Sequence, residues 1–253
     1  MPWRNPALQD AFLRGQAYLW RFTREVNSQA RQLFERAIEL DPQYAGAYAV
    51  LSWTHLQDWL LQWSQDPQTL ASAFVVAQRA VGLNDSLPLA HTMLGIAYAL
   101  QKRHEQAIAE CEWAITLDPN YAEGYAWLGN IFNFAGRPEE AIEMEEKALR
   151  LNPHDPFLSL LNLGSAYRMM GRHAEAIATL KRVLSRNPNF GPAHGQLLVA
   201  YSELGQEAEA RAEAAEILRL SPNFSLSVLA QILPYKEKAD SERYLDGLRK
   251  AGL

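Results

Sequence analysis

The sequence predicts an all-α fold built from repeated helical hairpins, and three observations predict it. First, a phrase resembling Leu-Asp-Pro recurs, and its prolines, Pro119, Pro153, Pro188 and Pro222, lie 34 or 35 residues apart. Second, another phrase, which carries a small residue and an aromatic one, runs in phase with the first. Third, apolar residues between the prolines recur at i, i+3, i+4 and i+7, as on one face of an α-helix. A fixed period of this length indicates stacked structural repeats.

The second phrase marks the first helix of each repeat. It reads HTMLGIAY, YAWLGNIF, LLNLGSAY and HGQLLVAY in successive repeats, and YAVLSWTH is a weaker copy. An alanine follows the small residue after twelve positions, as Ala141 follows Gly129. Small residues at these two positions allow the two helices of a hairpin to approach within about 8–10 Å. The proline then prevents the second helix from continuing, so the chain turns into the next repeat.

This pattern resembles the tetratricopeptide-repeat (TPR) family, whose 34-residue unit reads W-x2-L-G-x2-Y, then A-x3-F, then P. The resemblance covers about residues 8–224. It implies a right-handed superhelical solenoid of about six helix-turn-helix repeats with a C-terminal capping helix. We expect one TPR solenoid over residues 1–253, with repeats at about 8–44, 45–87, 88–121, 122–156, 157–190 and 191–224. Residues 225–253 would form the cap, whose last helix carries Tyr244, Leu245, Leu248 and Ala251 on one side.

The first two repeats depart from this spacing. Ala30 follows Gly15 by 15 residues instead of twelve, so we expect a longer turn between the helices near residues 23–27. In the second repeat Ala73 follows Ser52 by 21 residues. We expect the first helix of that repeat to run on by about two turns and to end before Pro67.

A narrower resemblance concerns the two ends of the chain. The run from Phe22 to Glu25, the tryptophan-bearing second repeat and the ending LPYKEKADSERYLDGLRKAGL are similar to the TPR tails of bacterial class III adenylyl/guanylyl cyclases. That resemblance implies a regulatory module of a signalling protein. The sequence has no strand-rich stretch with metal-binding aspartates, so we expect either such a tail or a stand-alone relative.

Composition narrows the classes of partner. The formal net charge is −5 and the sequence pI is near 5.7, and no basic stripe is visible, so we expect neither nucleic acid nor membrane as a partner. The one cysteine, Cys111, excludes an intramolecular disulfide. There is no signal-peptide pattern and no apolar run of membrane-spanning length. These features predict a cytoplasmic protein.

No pattern for catalysis, a metal or a cofactor is found, so we expect a chain that is not an enzyme. The six histidines are dispersed and form no i, i+4 pair. His91 and His194 occupy the tryptophan position of the consensus and are expected to pack between helices. Cys111 stands at the phenylalanine position, where a buried apolar residue is expected. The glutamates around Glu139 are expected to form a solvated helix face.

The TPR resemblance also implies where a partner would bind. In TPR superhelices the first helix of each repeat lines the concave groove, at positions one and four to five residues beyond the small residue. By that rule the partner-binding residues are Trp53, Gln57, Asn130, Asn133, Phe134, Ser165, Arg168, Met169 and Ser202. Their amides suit a peptide backbone, and their apolar side chains suit partner anchors. Trp53 is equally compatible with packing against the neighbouring repeat.

Two functions are therefore predicted. The leading one is a non-catalytic scaffold that binds a peptide or a partner domain in the groove. The alternative is a self-association module that oligomerises an attached or partner enzyme through a patch formed by Trp59 and Trp63. These two tryptophans are equally compatible with folding back over the first repeat.

Overall fold

The computed structural model describes residues 5–19, 21–154 and 157–253, and these contain fourteen α-helices and no strand. The predicted all-α fold is therefore confirmed. The helices are α1 (Pro6–Leu19), α2 (Arg24–Leu40), α3 (Ala45–Leu60), α4 (Pro67–Leu83), α5 (Pro88–Leu100), α6 (His104–Leu117), α7 (Ala122–Phe134), α8 (Pro138–Leu151), α9 (Phe157–Met169), α10 (His173–Arg186), α11 (Gly191–Glu203), α12 (Glu207–Leu220), α13 (Leu226–Ile232) and α14 (Lys238–Lys250).

The chain divides into two compact units, Met1–Pro119 and Asn120–Leu253. The first unit contains three helical hairpins, formed by α1 with α2, α3 with α4, and α5 with α6. The second unit contains the hairpins of α7 with α8, α9 with α10, and α11 with α12, followed by α13 and α14. A single solenoid over residues 1–253 stays a prediction, and the predicted end of the fourth repeat, at 156, lies outside the described residues.

A glycine allows the two helices to come close together in the hairpins that begin with α1, α5, α7 and α9. A methyl group added at Gly164 of α9 would lie 2.7 Å from Cγ of Leu180 in α10, and one added at Gly95 of α5 would lie 2.7 Å from Sγ of Cys111 in α6. Both facing side chains are fully buried. The glycine of the repeat phrase therefore sets how closely the helices pack.

The extra residues of the second repeat form mainly a turn. Helix α3 ends at Leu60, only three residues later than the regular pattern places the end, so the expected extension by two turns is wrong. Residues 61–66 turn the chain instead. The Ser64 amide donates to the Asp58 carbonyl at 3.0 Å, and the Asp66 side chain caps α4 by accepting from the Gln68 amide at 2.9 Å. The Ser64 amide occupies the carbonyl that the Gln62 amide would use if α3 continued, so the helix ends before this turn.

The turn expected at residues 23–27 of the first repeat is also corrected. Helix α2 begins at Arg24, and Thr23 is its N-cap, with a hydroxyl that accepts from the Val26 amide at 3.3 Å. Asn27 consequently lies inside the helix, where it is buried. A threonine that satisfies an otherwise free amide is a strong helix start.

Two repeats contain the same arrangement of a histidine between a glutamate side chain and a backbone carbonyl. His91 faces Glu110 through Nδ1 at 2.7 Å and the Asp85 carbonyl through Nε2 at 2.8 Å. His194 does the same with Glu213 at 2.5 Å and the Pro188 carbonyl at 2.9 Å. Since both ring nitrogens face acceptors, only the imidazolium form can donate to both. Burial alone would lower the pKa of each ring, but these hydrogen bonds outweigh burial, and the pKa of both histidines is raised.

We expect Gly164→Ala to lower the free energy of unfolding by about 1–3 kcal/mol, because the added methyl overpacks the contact with Leu180. The matched control is Gly82→Ala at the exposed end of α4, where an added methyl meets nothing within 4 Å. That change should stabilise by about 0.5–1 kcal/mol through lower chain entropy in the unfolded state. Urea unfolding measures both, and an unchanged Gly164→Ala midpoint would contradict the packing described.

We expect Glu213→Gln to remove a pH-dependent part of the stability. The raised pKa of His194 means that its contribution is complete below the unfolded pKa near 6.5 and is lost as pH rises through the folded value. The wild type should therefore exceed the variant by about 1 kcal/mol at pH 6, and the difference should shrink by pH 9. Glu123→Gln, an exposed position of α7, is the control. A difference that stays constant with pH would show that His194 is neutral.

Candidate functional site

The first helices of the second unit, α7, α9 and α11, bear most of the predicted groove residues, and we call their shared face the inner wall. The inner wall is defined by Asn130, Asn133, Phe134, Ser165, Arg168, Met169 and Ser202. Three of these side chains, Asn133, Ser165 and Arg168, are buried, and the other four are half-buried. The structure therefore brings the predicted residues together, but it does not leave them open to solvent.

An asparagine network ties α7 to α9. Asn162 donates through Nδ2 to the Ala126 carbonyl at 2.9 Å, and its Oδ1 accepts from Asn130 at the same distance. Asn133 donates to the Asn162 carbonyl, also at 2.9 Å. The amides predicted to hold a partner backbone are thus engaged within the chain. Sequence reasoning missed Asn162, although a polar residue inside the apolar phrase LLNLGSAY was a usable signal.

The C-terminal residues of the chain lie on the inner wall. The Lys236 amide donates to the Phe134 carbonyl at 2.8 Å, and the Tyr235 ring meets the Phe134 ring edge-on with centroids 5.6 Å apart. Ser202 donates from its hydroxyl to the Gly247 carbonyl at 3.0 Å. The wall is therefore covered by the extended residues 233–237 at one end and by α14 at the other.

Arg168 is at the centre of this contact, with only 2% of its surface exposed. Its Nε donates to Gln196 at 3.0 Å, its Nη2 donates to the Tyr235 hydroxyl at 3.4 Å, and its Nη1 lies 3.6 Å from Glu203. The guanidinium also stands 5.4 Å from the centre of the Tyr244 ring. Arg168 therefore lies beside a carboxylate of the chain itself.

Two glycines allow α14 to dock on α11. A methyl group at Gly195 would lie 2.6 Å from the Tyr244 hydroxyl, and one at Gly247 would lie 2.9 Å from Val199. Tyr244, with Leu245, is buried there. On each helix the glycine backbone therefore contacts a side chain of the other helix.

The predicted groove residues of the first unit are also covered. Trp53 and Gln57 are buried in α3, and Gln57 donates through Nε2 to the Leu19 carbonyl at 3.0 Å. Trp59 and Trp63, the predicted self-association patch, are both half-buried. Partner binding by all of these residues and self-association through the two tryptophans stay predictions.

The first unit contains a polar cleft of about 540 Å³ between α2, α3 and α4. Its lining includes the ion pair of Arg31 with Asp58, whose Nη2 and Oδ2 atoms are 2.6 Å apart. His55 and Trp63, the latter on the turn at residues 61–66, also line it. No groove rule of the repeat indicates this cleft, because the irregular turn at residues 61–66 builds it.

The described residues offer little for other chemistry. Within them no group of three or more histidine, cysteine, aspartate or glutamate side chains is placed to hold a metal ion. Cys111 is fully buried, and burial strongly raises the pKa of its thiol, so little reactive thiolate is present. None of the helices described is both long enough and apolar enough to cross a membrane.

Comparison with known proteins agrees with the helical hairpins. Sequence models of the tetratricopeptide repeat match residues 88–121, 122–155 and 167–232, which together are more than half of the chain. The chain belongs to the tetratricopeptide-repeat family. Proteins of this family generally serve as non-catalytic scaffolds that bind protein partners.

Relatives of this TPR chain are much longer than the part they share with it. It is 35% identical to putative adenylate cyclase 3 of Rhizobium meliloti (strain 1021) over 104 residues, which are 41% of this chain and 18% of that protein. It is 28% identical to superkiller complex protein 3 of Mus musculus over 181 residues, which are 70% of this chain and 11% of that protein. The resemblance to the TPR regions of cyclases is thereby supported, while each match covers less than a fifth of its relative.

Solved structures show the same fold. The crystal structure of the APC/C hetero-tetramer Cut9–Hcn1 matches with a TM-score of 0.64 at 19% identity, over 90% of this chain and 40% of that one. PilF of Pseudomonas aeruginosa matches with a TM-score of 0.56 at 21% identity, over 89% of this chain and 96% of that one. At these identities the likeness concerns the TPR fold alone.

One departure from the TPR consensus places a carboxyl group inside a hairpin of the second unit. Glu145 of α8 stands at the phenylalanine position, four residues after Ala141, and is fully buried against Gly129. Among the described residues neither carboxyl oxygen has a hydrogen bond of ordinary geometry. Burial therefore raises the pKa of Glu145 well above its usual value, and the polar groups of Asn162 and Ser159 oppose this only in part. The expectation of a solvated face around Glu139 is wrong for this residue.

We expect Glu145→Gln to stabilise the protein increasingly as pH rises above about 4.5. A raised carboxyl pKa means that the folded state holds a proton that the unfolded state releases, so the wild type loses stability between the unfolded and folded pKa values. Glutamine keeps the shape without this titration. Urea unfolding from pH 4.5 to 8 measures the effect, with Glu146→Gln as the exposed neighbouring control. Parallel pH profiles for the variant and the wild type would contradict a buried neutral carboxyl.

Proposed function

We propose that this TPR scaffold binds an extended peptide of a partner protein on the inner wall, in place of its own residues 233–237. One observation carries the proposal. The inner wall already holds an extended stretch of polypeptide, through the main-chain hydrogen bond from Lys236 to Phe134 and the aromatic anchor Tyr235. A surface that accepts this segment has the groups that a similar segment of another protein requires.

The segment is held less firmly than the helix that follows it. Helix α13, which precedes it, has no buried residue. The large apolar anchors of the segment are Leu233 and Tyr235, and burying one such side chain contributes about 1.5–3 kcal/mol. Two anchors thus contribute roughly 3–6 kcal/mol to holding the segment on the inner wall. A partner peptide must outweigh this contribution to replace residues 233–237.

Helix α14 is expected to remain in place. It buries Tyr244, Leu245 and Leu248, and it adds the bond from Ser202 to Gly247. Its Arg243 also donates to the Met169 carbonyl at 3.3 Å. Because α14 supplies Tyr244 to the binding pocket, its presence helps to shape the site that the partner would enter.

The part of the inner wall that holds Tyr235 selects for a tyrosine. Phe134 and Tyr244 provide apolar walls, and Arg168 offers an Nη2 donor to the hydroxyl. The Phe134 carbonyl accepts a hydrogen bond from the main-chain amide of the residue that follows the tyrosine. The side chains of Lys236 and Glu237 are exposed. The partner motif is therefore a short extended segment with a buried tyrosine.

The similarity to part of putative adenylate cyclase 3 supports a place in signalling. In such a protein the scaffold would act as a regulatory module, because replacing residues 233–237 changes what is attached to the inner wall. The partner could then bring an enzyme domain and its target together.

We expect a labelled peptide of residues 231–238 to bind the Tyr235→Ala chain at least about tenfold more tightly than the wild-type chain. In the wild type the tethered segment competes at an effective concentration in the millimolar range, and the substitution removes that competitor. Fluorescence anisotropy measures the binding, and circular dichroism verifies that the variant is folded.

Two controls make this test specific. Gln231→Ala changes an exposed residue of α13 and should leave peptide binding as in the wild type. A peptide with alanine in place of the tyrosine should not bind the Tyr235→Ala chain. If the folded Tyr235→Ala chain binds no peptide at millimolar concentration, the inner wall is a closed core and the proposal fails.

A further inference from the structure

The direction in which Arg168 meets the Tyr235 hydroxyl is fixed by two other groups. A guanidinium is planar and rigid, so holding two of its nitrogens also sets where the third one points. Nε of Arg168 donates to Gln196 at 3.0 Å, and Nη1 lies 3.6 Å from a carboxyl oxygen of Glu203. Nη2 is thereby turned toward Tyr235, whose hydroxyl accepts from it at 3.4 Å. The hydrogen bond that distinguishes tyrosine from phenylalanine therefore depends on Gln196 and Glu203 as well as on Arg168.

The charged member of this arrangement is Glu203. Only 2% of the Arg168 side chain and 13% of the Glu203 side chain are exposed. Water screens such a pair less than a surface pair, so the carboxylate orients the guanidinium more strongly than the neutral amide of Gln196 does. A buried arginine that lost this partner would be an uncompensated charge. Glu203 therefore decides where the donors of Arg168 point.

The Glu203 carboxylate is itself held in place from several helices. Its Oε1 accepts from Nε of Arg243 in α14 at 2.5 Å, and its Oε2 lies 3.4 Å from Nδ1 of His173 in α10. Arg243 is fixed in turn, because its Nη1 donates to the Met169 carbonyl at 3.3 Å. With Arg168 of α9 on the same carboxylate, groups from α9, α10 and α14 meet there and restrict its rotation.

The position of Glu203 along its own helix is unfavourable. Glu203 is the last residue of α11, and no basic residue stands in the last turn of that helix. The carbonyl end of a helix carries partial negative charge, so an acid at this end is disfavoured. The two arginines on its carboxylate, Arg168 and Arg243, offset this cost. The placement indicates that the carboxylate serves the contact between helices and not α11 itself.

We propose that Glu203 determines the specificity of the inner wall, as a positioning residue that makes the wall select tyrosine over phenylalanine at the place of Tyr235. Its carboxylate fixes Arg168, and Arg168 then offers Nη2 to the tyrosine hydroxyl. A neutral residue at this position would let the guanidinium turn toward other acceptors, and phenylalanine would then fit as well as tyrosine. For a peptide of a partner protein this role rests on the function proposed above, whereas for the chain's own segment it does not.

The first test uses the full chain and the hydrogen exchange of the Lys236 main-chain amide, which donates to the Phe134 carbonyl while the segment is in place. Tyr235→Phe keeps the ring and removes the hydroxyl. It should speed this exchange about tenfold, the low end for a hydrogen bond to a charged group, because 3.4 Å is a long bond. In the Glu203→Gln background the same substitution should change the rate by less than about twofold, since the two changes act on one interaction.

Two further variants make this cycle specific, and circular dichroism verifies that each one is folded. Glu175→Gln removes an exposed carboxylate that pairs with Arg172, and in this background the effect of Tyr235→Phe should be the same as in the wild type. Glu203→Asp keeps the charge but withdraws it from Arg168 by one methylene, so it should reduce the effect even if Glu203→Gln does not fold. An effect of Tyr235→Phe that is equal in every background, or absent in the wild type, would overturn the proposal.

Peptide binding separates this proposal from the function proposed for the inner wall. The Tyr235→Ala chain should bind a labelled peptide of residues 231–238 about tenfold more tightly than the same peptide carrying Tyr235→Phe, and adding Glu203→Gln should remove that preference. If neither peptide binds while the exchange rates show the coupling, the proposed function fails and the role of Glu203 stands. An equal preference in both chains would overturn the role of Glu203 and leave the proposed function intact.

Discussion

The close contact between the two helices of a hairpin is the constraint on which the rest of the molecule depends. A glycine in the first helix leaves no room for a methyl group against the second, as Gly164 shows against Leu180. This contact fixes the distance and the rotation of each hairpin, and therefore which residues of the first helix face the neighbouring hairpin. The asparagine network between α7 and α9 and the docking of α14 on α11 both require that rotation.

Polar groups restrict the helices of the second unit to one packing arrangement. Asn162 connects three neighbours, Arg168 holds two tyrosines and a glutamate, and Glu145 is enclosed without an ion partner. Such groups are stable only in one arrangement, because each loses its partners or its proton if the packing changes. Apolar residues alone would hold the helices together but would fix their register less well.

The sequence was sufficient for the fold because the repeat phrase carries the contacts that make a hairpin. It also located the residues of the inner wall, since Asn130, Phe134 and Arg168 all lie on one face. It could not show what covers that face. The docking of α14 depends on Gly195 and Gly247, two glycines whose spacing of 52 residues has no period and leaves no pattern to read. The polar cleft of the first unit could not be predicted for a similar reason. The hydrogen bonds of Ser64 and Asp66, and no repeat pattern, decide where α3 ends and α4 begins.

The weak burial of helix α13 affects how residues 233–237 are held. This helix joins two firmly packed helices, α12 and α14, while burying no side chain itself. Residues 221–232 therefore connect two packed helices through side chains that are at most partly buried, such as Leu226 and Leu229, which lie against the core. If a partner peptide replaces residues 233–237 as proposed, the released segment stays tethered, and its return does not depend on the concentration of the protein. The occupancy of the inner wall would then follow the concentration and the affinity of the partner peptide.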